Sequence, residues 1–132
     1  MLFWMETGSQ VTDIGRNRRS FFSKGENRLL PAEIESIKEF INSEIDKSLS
    51  NNESPDSIAY VPGWHSPSDW SGIPLQAIYD KAYPGDAESS ALWYGLITMQ
   101  VMIERPEIWY STKTQFNGRE IEQTVYWKKK EN

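Results

Sequence analysis

The stretch that decides the fold is Leu92–Ile103, which reads LWYGLITMQVMI. Wound as a helix, it is apolar around nearly its whole circumference, a pattern typical of an element buried on several sides. Asp86 is a good N-cap before it, and Pro106 prevents a helix from continuing after it. The sequence therefore predicts a central helix that ends at about Arg105 and forms the middle of the core.

Two further helices are predicted earlier in the chain. Pro31 is favoured in a first helical turn, and apolar residues then recur at helical spacing, which predicts an amphipathic helix over about residues 32–48. A second helix opens at Pro74 and is broken at residues 83–85. The isoleucines that define the apolar stripe of the earlier helix are Ile34, Ile37, Ile41 and Ile45.

The C-terminal region predicts a β-hairpin, because Asn117-Gly118 supports a type I′ turn between two alternating runs. Pairing outward from this turn places Phe116 opposite Arg119, Lys113 opposite Glu122 and Trp109 opposite Tyr126. One face then carries apolar residues and is expected to be buried. These residues are Ile108, Tyr110, Phe116, Ile121, Val125 and Trp127.

These elements predict an α+β fold over residues 1–132, in which about three helices pack on one face of a small antiparallel sheet that ends in the hairpin. Residues 57–61 and 2–5 supply short additional strands. Residues 6–28 are rich in Gly, Ser, Asn and Arg without clear periodicity, so they are expected to form an irregular arm or long loop.

Charge is distributed unevenly along the chain. The net charge is −5, and residues 31–110 hold 13 acidic and 4 basic residues, whereas residues 1–30 and 111–132 are each net positive. The acidic balance makes nucleic acid an unlikely partner and favours another protein. The chain has no cysteine, signal-peptide pattern or membrane-length apolar run, which predicts a cytoplasmic protein.

Residues 62–72 concentrate the most reactive side chains in one loop. In one interpretation His65 is a general base or hydrogen-bond donor, Asp69 orients it, and Trp64 and Trp70 form the walls of a pocket. In the other, both indoles pack onto the core and Ser66 and Asp69 cap a helical turn. The spacing alone leaves both interpretations open, with packing favoured.

Two other groups are candidate contact residues. Trp109 and Tyr126 fall on the otherwise polar face of the predicted hairpin, so either the N-terminal arm covers them or they form an exposed aromatic patch, and packing is favoured. The basic arm, Arg16, Arg18 and Arg19, can bind phosphate or an acidic protein surface, or it can pair with acidic residues of this chain.

No catalytic signature is complete. The sequence has no metal-ligand spacing, no phosphate-binding glycine loop and no nucleophile elbow, and it predicts no cofactor. The leading hypothesis is a small non-catalytic protein-binding or regulatory module. The alternatives are a small enzyme or ligand-binding protein with a pocket around His65 and Asp69, and an acidic inhibitor that mimics nucleic acid. The oligomeric state does not follow from the sequence.

Overall fold

The computed structural model describes residues 1–51, 57–60, 70–116 and 119–129, with side chains described for 1–50, 70–112 and 124–128. Within these residues, helices pack on one face of a five-stranded sheet, which confirms the predicted α+β class. The strands are β1 (Leu2–Trp4), β2 (Gln10–Val11), β3 (Ser57–Tyr60), β4 (Trp109–Phe116) and β5 (Arg119–Lys129). The α-helices are α1 (Arg16–Asn27), α2 (Pro31–Asn51) and α3 (Ala87–Glu104).

The sheet is mixed, so the expectation of a purely antiparallel sheet is wrong. Its strand order is β2-β1-β4-β5-β3, and β1 runs parallel to β4 while the other neighbouring pairs are antiparallel. The amide of Trp109 donates to the carbonyl of Met1 at 2.9 Å, and the amide of Met5 donates to the carbonyl of Ser111 at 3.0 Å. A short apolar run indicates a strand but not the direction of its neighbour, so the sequence missed this pairing.

The β4–β5 pair forms the predicted hairpin with Phe116 opposite Arg119, while Asn117-Gly118 lies outside the described residues. Further from the turn the predicted register is wrong. An irregularity between Lys113 and Gln115 shifts the pairing, so that Lys113 is opposite Thr124. Two extra residues of β5 are accommodated there, and a bulge of this kind has no clear sequence signal.

The predicted assignment of the hairpin faces is wrong for Ile108 and Tyr110, although Val125 on the same predicted face is buried as expected. Trp109, Ser111 and Tyr126 are buried under the helices, whereas Ile108 and Tyr110 are exposed. The face that carries Trp109 also carries the fully buried Leu2 of the parallel strand, and both join the core cluster with residues of α2 and α3. Both alternations of β4 contain large apolar rings, so alternation alone selected the wrong one.

The two long helices agree with their predicted patterns. Asp86 caps α3 through a hydrogen bond of 3.0 Å from the amide of Ser89 to its Oδ1 atom. At the start of α2, the amide of Leu30 donates to Oε1 of Glu33 at 2.9 Å, which satisfies one of the free donors of the helix end. Three isoleucines of the stripe are completely buried: Ile37, Ile41 and Ile45.

The segment predicted to form a second helix from Pro74 contains a five-residue π-helical turn, Ile78–Ala82. The amide of Tyr83 closes this turn by donating to the carbonyl of Ile78 at 2.9 Å. Leu75, Ile78 and Ala82 are buried in the core, so this segment has one apolar face although the helix is short. None of the helices in the described ranges is long and apolar enough to cross a membrane.

The prediction of an irregular arm over residues 6–28 is wrong for residues 16–27, which form α1. Aromatic contacts hold this helix in place. The Phe22 ring stacks on Trp93 at a centroid distance of 5.1 Å, and the Phe21 ring stacks on Tyr83 at 4.7 Å. The Trp93 Nε1 atom donates to the carbonyl of Phe22 at 2.9 Å. Helical stability here comes from tertiary packing, which the local composition does not reveal.

Gly25 allows α1 to approach Trp93 closely. A Cβ atom at this position would lie 2.4 Å from Trp93 Nε1, and that indole is completely buried and hydrogen-bonded. An added methyl group therefore has to displace a packed ring or the helix itself. Gly95 in α3 is the opposite case, since no atom lies within 4 Å of a Cβ placed there.

We expect Gly25→Ala to lower the free energy of unfolding by about 1–3 kcal/mol, as overpacking of a filled site generally does. Gly95→Ala is the matched control and should raise it by roughly 0.5–1 kcal/mol, because alanine favours the helix and no contact opposes it. Urea unfolding followed by circular dichroism measures both changes. Equal effects of the two substitutions would contradict the close approach at Gly25.

Candidate interaction surfaces

The loop of residues 62–72 is described only from Trp70 onward, and Trp64, His65 and Asp69 lie outside the described residues. The Trp70 side chain is completely buried, with its ring edge-on to Tyr94 at a centroid distance of 5.7 Å. Trp70 therefore packs into the core. The pocket interpretation of His65 and Asp69 remains a prediction.

Trp109 and Tyr126 are also buried, on the sheet face that the helices cover. Burial raises the pKa of the Tyr126 hydroxyl well above its ordinary value. The structure therefore agrees with the favoured expectation that these residues are packed, but residues of α2 and α3, and not only the N-terminal region, share their core cluster. They do not offer an exposed aromatic patch to a partner.

The three arginines of the basic arm lie in the first turns of α1, where Arg16, Arg18 and Arg19 are all exposed. None of them forms a hydrogen bond through its side chain or an ion pair with another described residue. The first turn of α1 contains no acidic residue, and Gly15 provides no side-chain cap. Positive side chains at the positive end of a helix dipole are unfavourable. The carboxylate of Asp13, which accepts a hydrogen bond from the amide of Gly15 at 2.6 Å, lies at the same helix end but forms no ion pair with these arginines.

Two other arginines show what pairing within the chain looks like. Arg28 donates through Nη1 to the carbonyl of Ala82 at 2.8 Å, and its guanidinium lies 5.9 Å from the centre of the Tyr83 ring. Arg105 contacts Asp46 and Glu107, each at 2.7 Å, and donates to Asn42 at 2.8 Å. These two residues join separate elements of the fold, a role that the arginines at the start of α1 do not have.

The outward side of α2 is acidic, with Glu35, Glu39 and Asp46 exposed. A shallow, open depression of about 590 Å³ lies along this helix, and its described lining residues all belong to α2. The lining residues are Glu39, Asn42, Ser43, Asp46, Lys47 and Ser50.

The described side chains contain no group of three or more His, Asp or Glu residues placed to hold a metal ion. Comparison with protein-family models, with curated proteins and with solved structures gives no match to this chain. The candidate sites therefore rest on the exposure and the contacts of this chain's own residues.

The structure adds one surface that sequence analysis missed, on the sheet face opposite the helices. In register, Phe3 of β1 is next to Tyr110 of β4, and Tyr110 is opposite Trp127 of β5, so three aromatic residues form a row across three strands. The Phe3 and Tyr110 rings are 6.0 Å apart. The only sequence signal for this surface is the apolar alternation of the hairpin. That alternation predicts a buried face, so it does not indicate an exposed one.

Proposed function

We propose that this protein is a non-catalytic protein-binding module of the cytoplasm that docks on an acidic partner through the start of α1. The observation that carries the proposal is the group of three exposed arginines without partners among the described residues. The same chain pairs Arg28 and Arg105 closely within the fold. Because the side chains of the three arginines have no partners among the described residues, they are available to bind another molecule.

The chemistry of the partner follows from the side chains that would contact it. Arginine presents a planar array of donors that matches a carboxylate, and a bidentate pair of this kind is stronger than a hydrogen bond between neutral groups. Three guanidinium groups within four residues therefore favour a surface rich in Asp and Glu. The net charge of −5 opposes a long polyanion, which favours a compact acidic protein over nucleic acid.

The electrostatic pattern favours one orientation of docking. The acidic side of α2 repels an acidic partner, whereas the start of α1 attracts it. Both helices pack against α3, so the two charged surfaces belong to the same helical layer. A partner steered by charge would approach from the α1 side, and its association rate would fall as salt screens the attraction.

The test compares affinity capture from source-cell lysate for wild type and for a triple variant, Arg16→Ser, Arg18→Ser and Arg19→Ser. The matched control removes the same charge at exposed lysines: Lys24→Ser, Lys47→Ser and Lys81→Ser. We expect an acidic protein to be retained by wild type and the lysine variant but lost from the arginine variant, and its binding to weaken with salt. Identical protein sets for all three baits would contradict the proposal.

A further inference from the structure

The arginines at the start of α1 are spaced to meet a pair of carboxylates. Arg16 and Arg19 are three positions apart in this helix, so they are neighbours on one side of it, with Cβ atoms about 5–6 Å apart. Arg18 adds a third exposed guanidinium in the same turn. A surface that pairs with this group therefore needs exposed carboxylates at a similar spacing.

The same chain presents carboxylates at that spacing on α2. Glu35 and Glu39 are exposed and four positions apart, which also places their Cβ atoms about 5–6 Å apart. Neither of them forms an ion pair or a side-chain hydrogen bond with another described residue. Lys38 lies between them in the sequence, but its Nζ atom contacts Glu104 at 3.2 Å, so its charge is already matched.

The remaining carboxylates of α2 are paired within the fold. Three ion pairs use them: Glu33 with Lys81, Glu44 with Lys47, and Asp46 with Arg105. The fold therefore satisfies most charges of this helix, yet it leaves Glu35 and Glu39 apart from the arginines of α1. Two groups of opposite charge that do not meet within one molecule are free to meet between two molecules.

We propose that the start of α1 docks on the side of α2 that carries Glu35 and Glu39 in a second copy of this chain. Charge complementarity selects this occupant, because the two surfaces have opposite charge and similar spacing. A second copy is also acidic around the contact, since residues 31–110 hold 13 acidic and 4 basic residues. The inference rests on the proposed function, because the same arginines make the contact, and it names the acidic partner.

The contact is heterologous, since it joins two different surfaces of the molecule. After a first contact, one copy keeps a free basic surface and the other a free acidic surface, so association continues beyond a dimer. Exposed ion pairs are individually weak, so we expect reversible association that increases with protein concentration. Salt of about 0.1 M screens repulsion between two chains of net charge −5 beyond about 10 Å, but it affects contacting pairs less.

The experiment is sedimentation velocity over a dilution series of the full chain in about 0.1 M salt. The basic-surface variant carries Arg16→Glu, Arg18→Glu and Arg19→Glu. The acidic-surface variant carries Glu35→Arg and Glu39→Arg, and a five-site variant combines all of these substitutions. We expect each single-surface variant to associate at least about tenfold more weakly than wild type, and the five-site variant to recover association because its charges are exchanged.

The acidic-surface variant distinguishes a specific contact from a general effect of net charge. It makes the chain less negative, so reduced repulsion alone would strengthen association, whereas the proposed contact predicts weakening. The five-site variant is more negative than wild type and should nevertheless associate. Glu26→Arg with Glu88→Arg is the matched control, because it reverses two exposed carboxylates outside α2 and should not weaken association.

Circular dichroism verifies that each variant is folded. A wild-type chain that stays monomeric throughout the series overturns the inference. Unchanged or stronger association of the acidic-surface variant does the same, as does a folded five-site variant that fails to recover. Affinity capture from lysate decides the proposed function separately: a monomeric chain that still retains an acidic protein through its arginines overturns this inference alone.

Discussion

Replacing Trp93 by alanine is expected to lower the free energy of unfolding by about 3–5 kcal/mol, the range for a large aromatic residue removed from a core. The Trp93 ring is completely buried and stacks on Phe22 with an interplanar angle of 7°. Its loss also removes the hydrogen bond to the Phe22 carbonyl. Because these contacts hold α1 against α3, we expect hydrogen exchange in α1 to accelerate more than in α2.

Two substitutions separate the parts of this effect. Leu92→Ala changes the adjacent residue, which is exposed, and should cost less than about 1 kcal/mol. Trp93→Phe keeps an aromatic ring beside Phe22 but removes the indole N–H, so an intermediate loss is expected. Chemical denaturation measures all three, and a Trp93→Ala loss no larger than that of Leu92→Ala would refute the anchoring of α1.

The second large effect is expected for Arg105→Leu, at about 2–3 kcal/mol of lost stability near neutral pH, because a partly buried carboxylate is left without its charged partner. The Arg105 guanidinium contacts Glu107 and Asp46, at the point where α3 ends and the chain turns toward β4. The Glu107 side chain is 19% exposed, so water compensates only partly for the lost contact. Lys47→Leu is a suitable control, because it removes an exposed ion pair with Glu44.

This cluster also gives the protein a defined acid dependence. Burial opposes ionisation of Glu107, but hydrogen bonds from Arg105 outweigh it, so the pKa of Glu107 is below its ordinary value. A carboxyl whose pKa is lowered on folding stabilises the protein above its unfolded pKa of about 4.3, and this contribution is lost as pH falls through the folded value. The stability difference between wild type and Arg105→Leu should therefore shrink as pH is lowered from 7 to about 3. A difference that stays constant with pH would contradict this.

Regular patterns predicted the parts of the fold that local sequence controls. The spacing of Ile37, Ile41 and Ile45 defined the buried side of α2, and Asp86 and Pro106 marked the two ends of α3. Each of these signals acts within a few residues, through helix period, capping or a missing backbone donor. Such effects can be recognised without knowing what the element packs against.

The features that the sequence did not predict depend on distant contacts. Residues 16–27 have a weak apolar pattern, and α1 is held by Trp93 and Tyr83, which are more than 60 positions away. Likewise, Tyr110 and Trp109 are adjacent rings of similar apolar character, and only the packing of the helices determines which of them is buried. Propensity and alternation are weak guides where tertiary contacts decide.

The candidate site was predicted in part for the same reason. The basic arm could be read directly as three arginines, and the structure places them on the surface. Trp70 could not be assigned, because an indole in a loop suits a pocket wall and a packed anchor equally well. Only its position against Tyr94 distinguishes these roles.

The pairing of β1 with β4 affects the order in which this molecule assembles. Leu2 is aligned with Trp109, so one edge of the sheet cannot close until more than 100 further residues have been synthesised. During translation, β1 stays unpaired with β4 while α1, α2 and α3 are synthesised. Contacts between such distant positions slow folding. Until β4 is synthesised, the apolar side chains of β1 are exposed to chaperones that bind nascent chains.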